Sequence, residues 1–330
     1  MRDGKLQVLM PDGDPQFDVL GGDGVAAEFD GPIAGNGDDL GGHVAEVEHA
    51  FLGLHQGVEF ERGGSIENQE RVDMARVNIF EFADKYWCPK ILRDMLTDYL
   101  AYLFGQKMNV YKPVIPIIKK VLGITKRSRI VELCAGAGCN GVLLQEELDR
   151  TGEKATVLLT DKYPNLAAFE QASKRNSNVR FTREPIDALE VPPSIDGVRA
   201  MYTSFHHFDP PNARKILQDA VDKEEAICLF EMTEPNLISY VATLLSPFIT
   251  LGFAPKVMRP MGLKRFALTY VIPAFLFIVL WDGIASMLRT YTPHELGMLV
   301  KGIRRNGYKW EIGREQGGII FLVGYPNPSL

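Results

Sequence analysis

The sequence contains few cysteines and no cysteine pair at metal-binding spacing. Its four cysteines, among 330 residues, are scattered and form no C-x-x-C motif, the usual signature of zinc sites and redox-active thiols. The chain also lacks the positively charged start and short apolar run of a secretory signal. We therefore expect a cytoplasmic protein without disulfides and without a bound metal.

Positive charge is scarce in the first 65 residues, which hold 13 acidic but only 3 basic side chains, together with 14 of the 31 glycines. Apolar residues in this stretch are too few to offset the conformational entropy that is lost on ordering. The sequence therefore predicts a disordered Gly/Asp-rich extension over residues 1–73. Calcium binding is not expected, because the spacing of an EF-hand loop is missing. A further alternative is a natural start at Met74, where patterned sequence begins.

The remaining chain shows no basic surface suited to nucleic acid. The net charge is −6, and because the first 65 residues contribute −10, the other 265 carry only +4. These cations are not interleaved with the aromatic side chains that would stack on bases. The hydrophobic fraction of 46% is sufficient for a large core. The composition favours a globular protein that does not bind nucleic acid.

Patterned sequence begins near residue 78, and its first part predicts two helices. The run after Pro89 places apolar side chains at helical spacing, and PVIPIIKKVLG forms a second amphipathic stretch that ends at Gly123. We predict a helical cap over residues 74–125, followed by a larger domain over residues 126–330.

Beyond this cap, short apolar runs with strand character alternate with helical runs. The strand-like segments are RIVELC, TVLLTD, VRFTRE, RAMYTSF and AICLFEMT, and the helical segments between them include GVLLQEELDR, LAAFEQASKR and ARKILQDAVDK. Apolar strands separated by helices are typical of parallel strands buried on both faces, with right-handed crossovers. The predicted fold class is α/β and doubly wound.

The end of the chain departs from this alternation. YKWEIGRE and GIIFLVGYP are separated only by a Gly-Gly turn, which predicts an antiparallel hairpin at one edge of the sheet. Before them, Thr292, Pro293 and Glu295 have the spacing of a capping box at a helix start. We expect a Rossmann-like, mostly parallel sheet with an antiparallel terminal hairpin.

The segment VELCAGAGCNG predicts a ligand-binding turn after the first strand of this sheet. Gly136, Gly138 and Gly141 satisfy G-x-G-x-x-G, in which glycines allow the backbone to approach a ligand and the next helix presents its N-terminus. Glycines alone fit a dinucleotide or S-adenosylmethionine. Glu132, four residues before Gly136, favours the second ligand, because a carboxylate can meet its cationic groups.

With this acidic residue, the segment resembles the first motif of the class I S-adenosylmethionine-dependent methyltransferases, in their small-molecule branch. The resemblance extends over about residues 130–326 and implies that Glu132, Gly136 and Gly138 hold the cofactor. The antiparallel terminal hairpin is also a trait of that family. Classical Rossmann dehydrogenases lack it.

Three later positions match the family as well. Asp161 in LLTDKYPN stands where the family binds the ribose hydroxyls, and Asp187 in REPIDAL stands where it meets the adenine amino group. Ser204 belongs to TSFHHF, which matches the family's (A/S)-x-H-H-F-type sequence after the fourth strand. Structural alternatives remain: an acid at a strand end can cap the next helix, and a loop acid such as Asp187 can simply be solvated.

His206 and His207 in TSFHHF are the candidate catalytic residues. A histidine can accept the proton of a hydroxyl or phenol during methyl transfer. Alternatively, one histidine of an adjacent pair points into the core, and Phe205 and Phe208 suggest a packed wall around both. Methyl transfer needs a base only if the acceptor arrives protonated, so both interpretations stay open.

A hydrophobic insertion, residues 237–281, interrupts the methyltransferase pattern. It contains 18 uncharged residues over 237–254 and 16 more over 266–281, separated by a segment with four cations: Lys256, Arg259, Lys264 and Arg265. A spanning hairpin would place these cations on the far side of the membrane, against the positive-inside tendency. Insertion into one leaflet avoids that conflict. A lid over the core or a dimer interface is the third interpretation.

The sequence as a whole predicts a cytoplasmic, membrane-associated enzyme that transfers a methyl group from S-adenosylmethionine to a small, apolar or lipid-like acceptor. Two other functions compete with it. A nicotinamide-dependent oxidoreductase would share the glycine turn and Asp161. A non-catalytic, membrane-associated module could keep the cofactor site without turnover, because methyl transfer requires no nucleophilic side chain of the protein.

Overall fold

The computed structural model describes residues 76–257, 261–303 and 307–326, together with the backbone of two short N-terminal strands. These strands, Lys5–Val8 (β1) and Phe17–Leu20 (β2), pair with each other antiparallel. The sequence predicted no regular structure there, so both are additions to the expected fold. The rest of the predicted extension lies outside the described residues, and the domain limits at 73 and 125 stay predictions.

The described strands form one sheet, in which five strands run parallel. Beyond β1 and β2, the strands are Arg129–Glu132 (β3), Thr156–Leu159 (β4), Val179–Phe181 (β5), Val198–Tyr202 (β6), Ile227–Glu231 (β7), Tyr308–Glu315 (β8) and Ile319–Pro326 (β9). Their order is β1-β2-β8-β9-β7-β6-β3-β4-β5. Strands β3 to β7 are mutually parallel, and β9 is antiparallel to both β7 and β8. The predicted Rossmann-like sheet with an antiparallel terminal hairpin is confirmed.

The helices cover both faces of this sheet. Their bounds are Lys90–Leu100 (α1), Ile115–Thr125 (α2), Cys139–Thr151 (α3), Leu166–Arg175 (α4), Pro210–Asp222 (α5), Leu237–Val257 (α6), Leu263–Phe266 (α7), Ala274–Arg289 (α8) and Pro293–Val300 (α9). Buried side chains of α2, α3 and α4 form the core on one face. Those of α5 and α9 form the core on the other, as a doubly wound fold requires. The predicted capping box at Thr292 and Glu295 starts α9.

The hydrophobic insertion packs over helix α1 through a third, smaller core. Met95 and Tyr99 of α1 are buried there with Ala254 of α6 and with Phe275 and Ile278 of α8. A π-helical turn, Ala101–Lys107, continues α1 towards α3. The insertion and the cap therefore form one helical layer on the described core.

The outward face of this layer is apolar and exposed. On α6, the exposed apolar side chains include Ile238 (81%), Leu245 (50%) and Phe248 (70%). Helix α6 is the one described helix that is long and apolar enough to cross a membrane, and only 11% of it is buried. The second apolar segment is bent by 69° between residues 271 and 274. If α6 were a lid with its apolar side chains packed against the core, these side chains would be less exposed than they are.

Candidate functional site

The predicted site residues stand at the carboxyl ends of parallel strands. Glu132 is the last residue of β3, Asp161 follows β4 by two residues, and Ser204 follows β6 by two residues. Glu231 ends β7 in the same way. Because β4, β3, β6 and β7 are neighbours and point in one direction, these residues lie along the same sheet edge, the usual ligand site of open α/β sheets.

The glycine turn after β3 needs glycine at two positions. Gly136 and Gly138 have φ angles of 58° and 72°, a region that side chains with a Cβ rarely adopt. A Cβ on Gly138 would lie 2.5 Å from Leu159 Cδ1. The turn is therefore held tightly against β4, and α3 begins directly after it at Cys139.

Two residues other than glycine also have left-handed backbones at this edge. Cys134, after β3, has a φ of 54°, and Thr203, after the neighbouring strand β6, has a φ of 41°. Such conformations are energetically costly and concentrate at functional sites. Both turns that face the sheet edge thus carry backbone strain.

Glu132 points under the start of α3, where it is only 2% exposed. A Cβ on Gly141 would collide with the Glu132 Oε2 atom, so glycine makes room for the carboxylate. Burial raises the pKa of Glu132 to about 8, although the Gly141 amide acts in the opposite direction. No hydrogen bond of normal geometry reaches Oε2 within the described chain, so the nearby Gly141 amide interacts with the carboxylate without fully satisfying it. A cationic group of a ligand would supply such a hydrogen bond.

Asp161 ties the glycine turn to the end of β4. Its Oδ2 accepts a hydrogen bond of 2.8 Å from the Gly136 amide, and its Oδ1 accepts one of 2.7 Å from the Tyr163 amide. Burial raises the pKa of Asp161 despite these bonds. Each carboxylate oxygen can accept a further hydrogen bond, so Asp161 can hold the turn and still meet hydroxyl groups.

Ser204 and Asp187 differ in whether their side chains already have hydrogen-bond partners. The Ser204 Oγ atom is buried and lacks a hydrogen-bond partner among the described residues. Asp187 lies after β5, where its Oδ2 is 2.7 Å from Lys162 Nζ and its Oδ1 accepts from the Leu189 amide. Asp187 is therefore already paired with a lysine that directly follows Asp161 in the sequence.

Helix α1 covers the glycine turn. A Cβ on Gly136 would lie 3.4 Å from Thr97 Cγ2. Asn165, the N-cap of α4, donates from Nδ2 to Asp98 Oδ1 over 3.2 Å, and Arg93 lies 4.1 Å from the centre of the Tyr163 ring. The cap is thus joined to two of the loops that form the sheet edge.

A cavity of about 450 Å³ lies beside this turn, bounded by α1, α4, the start of α3 and the insertion. Its walls carry charges of both signs: Asp94, Asp98, Arg175, Lys256 and Arg265. Arg265 Nη1 is 3.0 Å from Asp98 Oδ2. Two acids of the cap, Asp94 and Asp98, thus line this cavity. Tyr86 and Trp87, which precede them in the cap, are exposed.

His206 is fully buried and bound to an acid that the sequence did not single out. Its Nδ1 lies 2.8 Å from Glu231 Oε2, and Glu231 Oε1 accepts from the amides of Ser204, Phe205 and His206 itself. Burial alone would raise the pKa of Glu231, but His206 and these bonds together lower it. Glu231 therefore holds the whole turn after β6.

His207 belongs to an ion-pair network with the segment before α1. Its Nδ1 lies 2.7 Å from Asp84 Oδ1 and 3.4 Å from Glu81 Oε2. Burial favours the neutral ring, yet the two carboxylates raise the pKa of His207 to about 9. Arg289 completes the network, with Nη1 at 3.2 Å from Glu81 Oε1 and 2.9 Å from Asp84 Oδ2. In this arrangement His207 carries a proton at neutral pH.

Sequence reasoning missed four residues of this network: Glu81, Asp84, Glu231 and Arg289. For Glu231 a signal existed, because it ends an apolar strand as Glu132 does. Glu81 and Arg289 are far from TSFHHF along the chain, and only the fold brings them to it. Neither carries a local motif.

Comparison with solved structures finds methyltransferases among the similar folds, all at low identity. An O-methyltransferase family protein from Burkholderia thailandensis shares 14% identity over 76% of this chain and 62% of its own, with a TM-score of 0.42. Human N-acetylserotonin methyltransferase in complex with S-adenosylmethionine shares 10% over 72% of this chain and 57% of its own, with a TM-score of 0.43.

A Rhodobacter sphaeroides protein named for the zinc-dependent alcohol dehydrogenases is equally similar. It shares 11% identity over 71% of this chain and 98% of its own, with a TM-score of 0.42. The chain spans less than two thirds of the length of the two methyltransferases. No protein-family model and no curated protein matches the sequence. These likenesses do not decide the activity.

Proposed function

We propose that this protein is a methyltransferase that uses S-adenosylmethionine and acts on a small, apolar or lipid-like acceptor. The observation that carries the proposal is the buried, unpartnered carboxylate oxygen of Glu132 beside the glycine turn. A carboxylate in this position suits a ligand that brings cations, and S-adenosylmethionine brings an ammonium and a sulfonium. The negatively charged pyrophosphate of a dinucleotide would instead face the Glu132 carboxylate, which is unfavourable.

The remaining residues of the edge have roles that agree with this ligand. Gly136 and Gly138 let the backbone approach it, Asp161 offers its free lone pairs to ribose hydroxyls, and Ser204 offers an unpartnered hydroxyl. Asp187 can serve the adenine only by giving up part of its pairing with Lys162. When bound, the cofactor supplies an already activated methyl group, so the protein needs chiefly to position the acceptor and exclude water.

The geometry does not support His206 or His207 as the base. His206 is fully buried with its Nδ1 at Glu231. The two carboxylates beside His207 raise its pKa to about 9, so the protonated ring is favoured near neutral pH and His207 is a poor base there. We propose that this pair organises the edge of the site, and that an acceptor which needs no deprotonation is methylated.

The cofactor is tested by calorimetry on the full chain with S-adenosylmethionine, its demethylated product and NAD. We expect the first two to bind and NAD to give no heat. Asp161→Ala should weaken binding by about 5- to 150-fold, since it removes acceptors worth about 1–3 kcal/mol. Glu170→Ala, at an exposed ion pair with Arg183, is the matched control and should bind normally. Tight NAD binding without a response to S-adenosylmethionine would overturn the proposal.

We also propose that the insertion lies on a membrane surface, with its apolar helices in one leaflet. The exposed apolar face of α6 and the exposed Lys264 support this arrangement. The 69° bend in the second segment argues against a straight spanning hairpin. A lipid-like acceptor could then place its polar group in the charged cavity while its apolar part follows the insertion.

The four cations of the insertion are not equivalent in the structure. Arg265 is paired with Asp98, and Arg259 lies outside the described residues. Lys264 is exposed, and Lys256 combines an exposed position with a place on the cavity wall. Lys256 and Lys264 are therefore the cations that we expect to meet anionic headgroups.

Vesicle co-sedimentation tests this surface. Replacing Ile238, Leu245 and Phe248 with serine should release the protein from anionic vesicles, because their apolar area would no longer enter the leaflet. Lys256→Gln with Lys264→Gln should weaken binding about thirtyfold, at about 1 kcal/mol per cation. Met108→Ser, an exposed apolar site outside the insertion, is the control. A wild-type protein that stays in the supernatant contradicts the proposal.

A further inference from the structure

We infer that Glu81, His206 and His207 form a binding site for a divalent transition metal, with zinc as the ion that the ligand set suits best. One ligand atom from each residue lies within 4.8 Å of the other two. Two imidazoles and one carboxylate are a frequent zinc ligand set. The inference does not depend on the proposed methyl transfer.

Two imidazole nitrogens converge on the Glu81 carboxylate. His206 Nε2 is buried and without a hydrogen-bond partner among the described residues, whereas His207 Nδ1 also lies 2.7 Å from Asp84 Oδ1. His206 Nε2 lies 3.6 Å from Glu81 Oε1, and His207 Nδ1 lies 3.4 Å from Glu81 Oε2. Zinc bonds of about 2.1 Å in a tetrahedron separate two ligand atoms by roughly 3.4 Å. Both separations are close to this value, although they end on different oxygens of Glu81, and one ligand atom from each residue lies within 4.8 Å of the other two.

The residues behind His206 fix its ring in the state that binds metal. Glu231 Oε2 lies 2.8 Å from Nδ1, so a neutral His206 donates its proton there and presents the Nε2 lone pair to the site. Metal-binding histidines are usually oriented by such a carboxylate. Glu231 is in turn held by three backbone amides, which leaves the ring little freedom to turn.

The charges around the site also call for a cation. Glu81, Asp84 and Glu231 contribute three carboxylates, against which Arg289 places one guanidinium near Glu81 Oε1 and Asp84. Carboxylates therefore outnumber the guanidinium in this cluster, which suits a bound cation. Because Arg289 is near Oε1, Glu81 Oε2 is the oxygen left for the metal. Asp84, about one third exposed and 2.7 Å from His207 Nδ1, would become a fourth ligand if that ion pair opened.

A metal at this position would join the start of the described chain to the sheet edge. Glu81 lies in the segment before α1, and the two histidines follow β6. Asp282 of α8 holds the same segment by accepting from the amides of Phe82 and Ala83. Bound zinc would therefore link the segment before α1 to the turn after β6 and stabilise the folded protein.

The test is a zinc titration of tag-free, full-length protein that has been stripped with a chelator, in competition with a chromophoric chelator. We expect one equivalent of zinc to bind and to raise the melting temperature. Glu81→Gln, which keeps the size of the side chain, should weaken binding at least a hundredfold. Glu231→Gln, which weakens the support of the His206 ring and of the turn that carries it, should weaken zinc binding about 10- to 100-fold.

Glu234→Gln is the matched control, because this acid pairs with Arg314 away from the histidines. Circular dichroism of every variant confirms that it is folded before titration. Failure of the folded wild type to bind zinc overturns the inference, as does a Glu81→Gln variant that binds as tightly as wild type. Neither result bears on S-adenosylmethionine binding, so the two proposals fail separately.

Discussion

Replacing Glu231 with alanine destabilises the protein by about 3–5 kcal/mol, the usual effect of breaking a buried charged network. Glu231 is 2% exposed, and it accepts from three consecutive backbone amides as well as facing the His206 ring. Alanine leaves these donors buried without an acceptor, and each unpaired donor is costly. Urea denaturation of the full chain measures the change.

Glu234→Ala provides the comparison for this variant. It removes the same side chain three residues further on, where Glu234 forms a partly exposed ion pair with Arg314. Such pairs contribute about 0–1 kcal/mol. If the two variants lose similar stability, the turn after β6 does not depend on Glu231, and the description of the site's architecture is wrong.

The affinity for S-adenosylmethionine rises about tenfold per pH unit up to pH 8 and then levels off. The folded pKa of Glu132 is about 8, raised from an ordinary value of 4.5 by burial. Below pH 8, the folded protein holds a proton that the cationic cofactor must displace, which gives a slope of about one order of magnitude per unit. Calorimetry between pH 6 and 9 measures this slope.

The same shift has an opposite consequence for the protein without ligand. Because the folded pKa is raised, the unfolded chain releases the Glu132 proton first as pH rises above about 4.5. The free energy of unfolding therefore falls between about pH 4.5 and 8, and this loss stops once the folded group ionises. The raised pKa of Glu132 therefore costs no stability below about pH 4.5, where both states hold the proton, and costs most above pH 8.

Glu132→Gln separates this linkage from the titration of the ligand itself. The amide keeps the shape but cannot ionise, so its binding curve should be nearly flat over the pH range after the ligand's own titration is allowed for. The demethylated product, which keeps the ammonium but lacks the sulfonium, should show the same linkage with the wild type. A wild-type affinity that does not change from pH 6 to 8 would show that Glu132 does not meet the cofactor's cations.

The sequence by itself determined the five parallel strands, the terminal hairpin and the position of the glycine turn. Apolar strands that alternate with helices typically pair in parallel with both faces covered, and the short Gly-Gly turn joins the last two strands as a hairpin. Gly136 and Gly138 adopt positive φ angles, which other residues rarely do. These are local constraints, so they can be read from neighbouring residues.

Only the tertiary structure decided the environment of the histidines and the position of the insertion. Glu81, Glu231 and Arg289 come from separate parts of the chain, and only their meeting places His206 and His207 in an ionic network. The insertion likewise has the same composition whether it spans a bilayer or packs on α1. Burial, charge pairing and pKa depend on contacts between distant segments, and no local pattern in the sequence specifies those contacts.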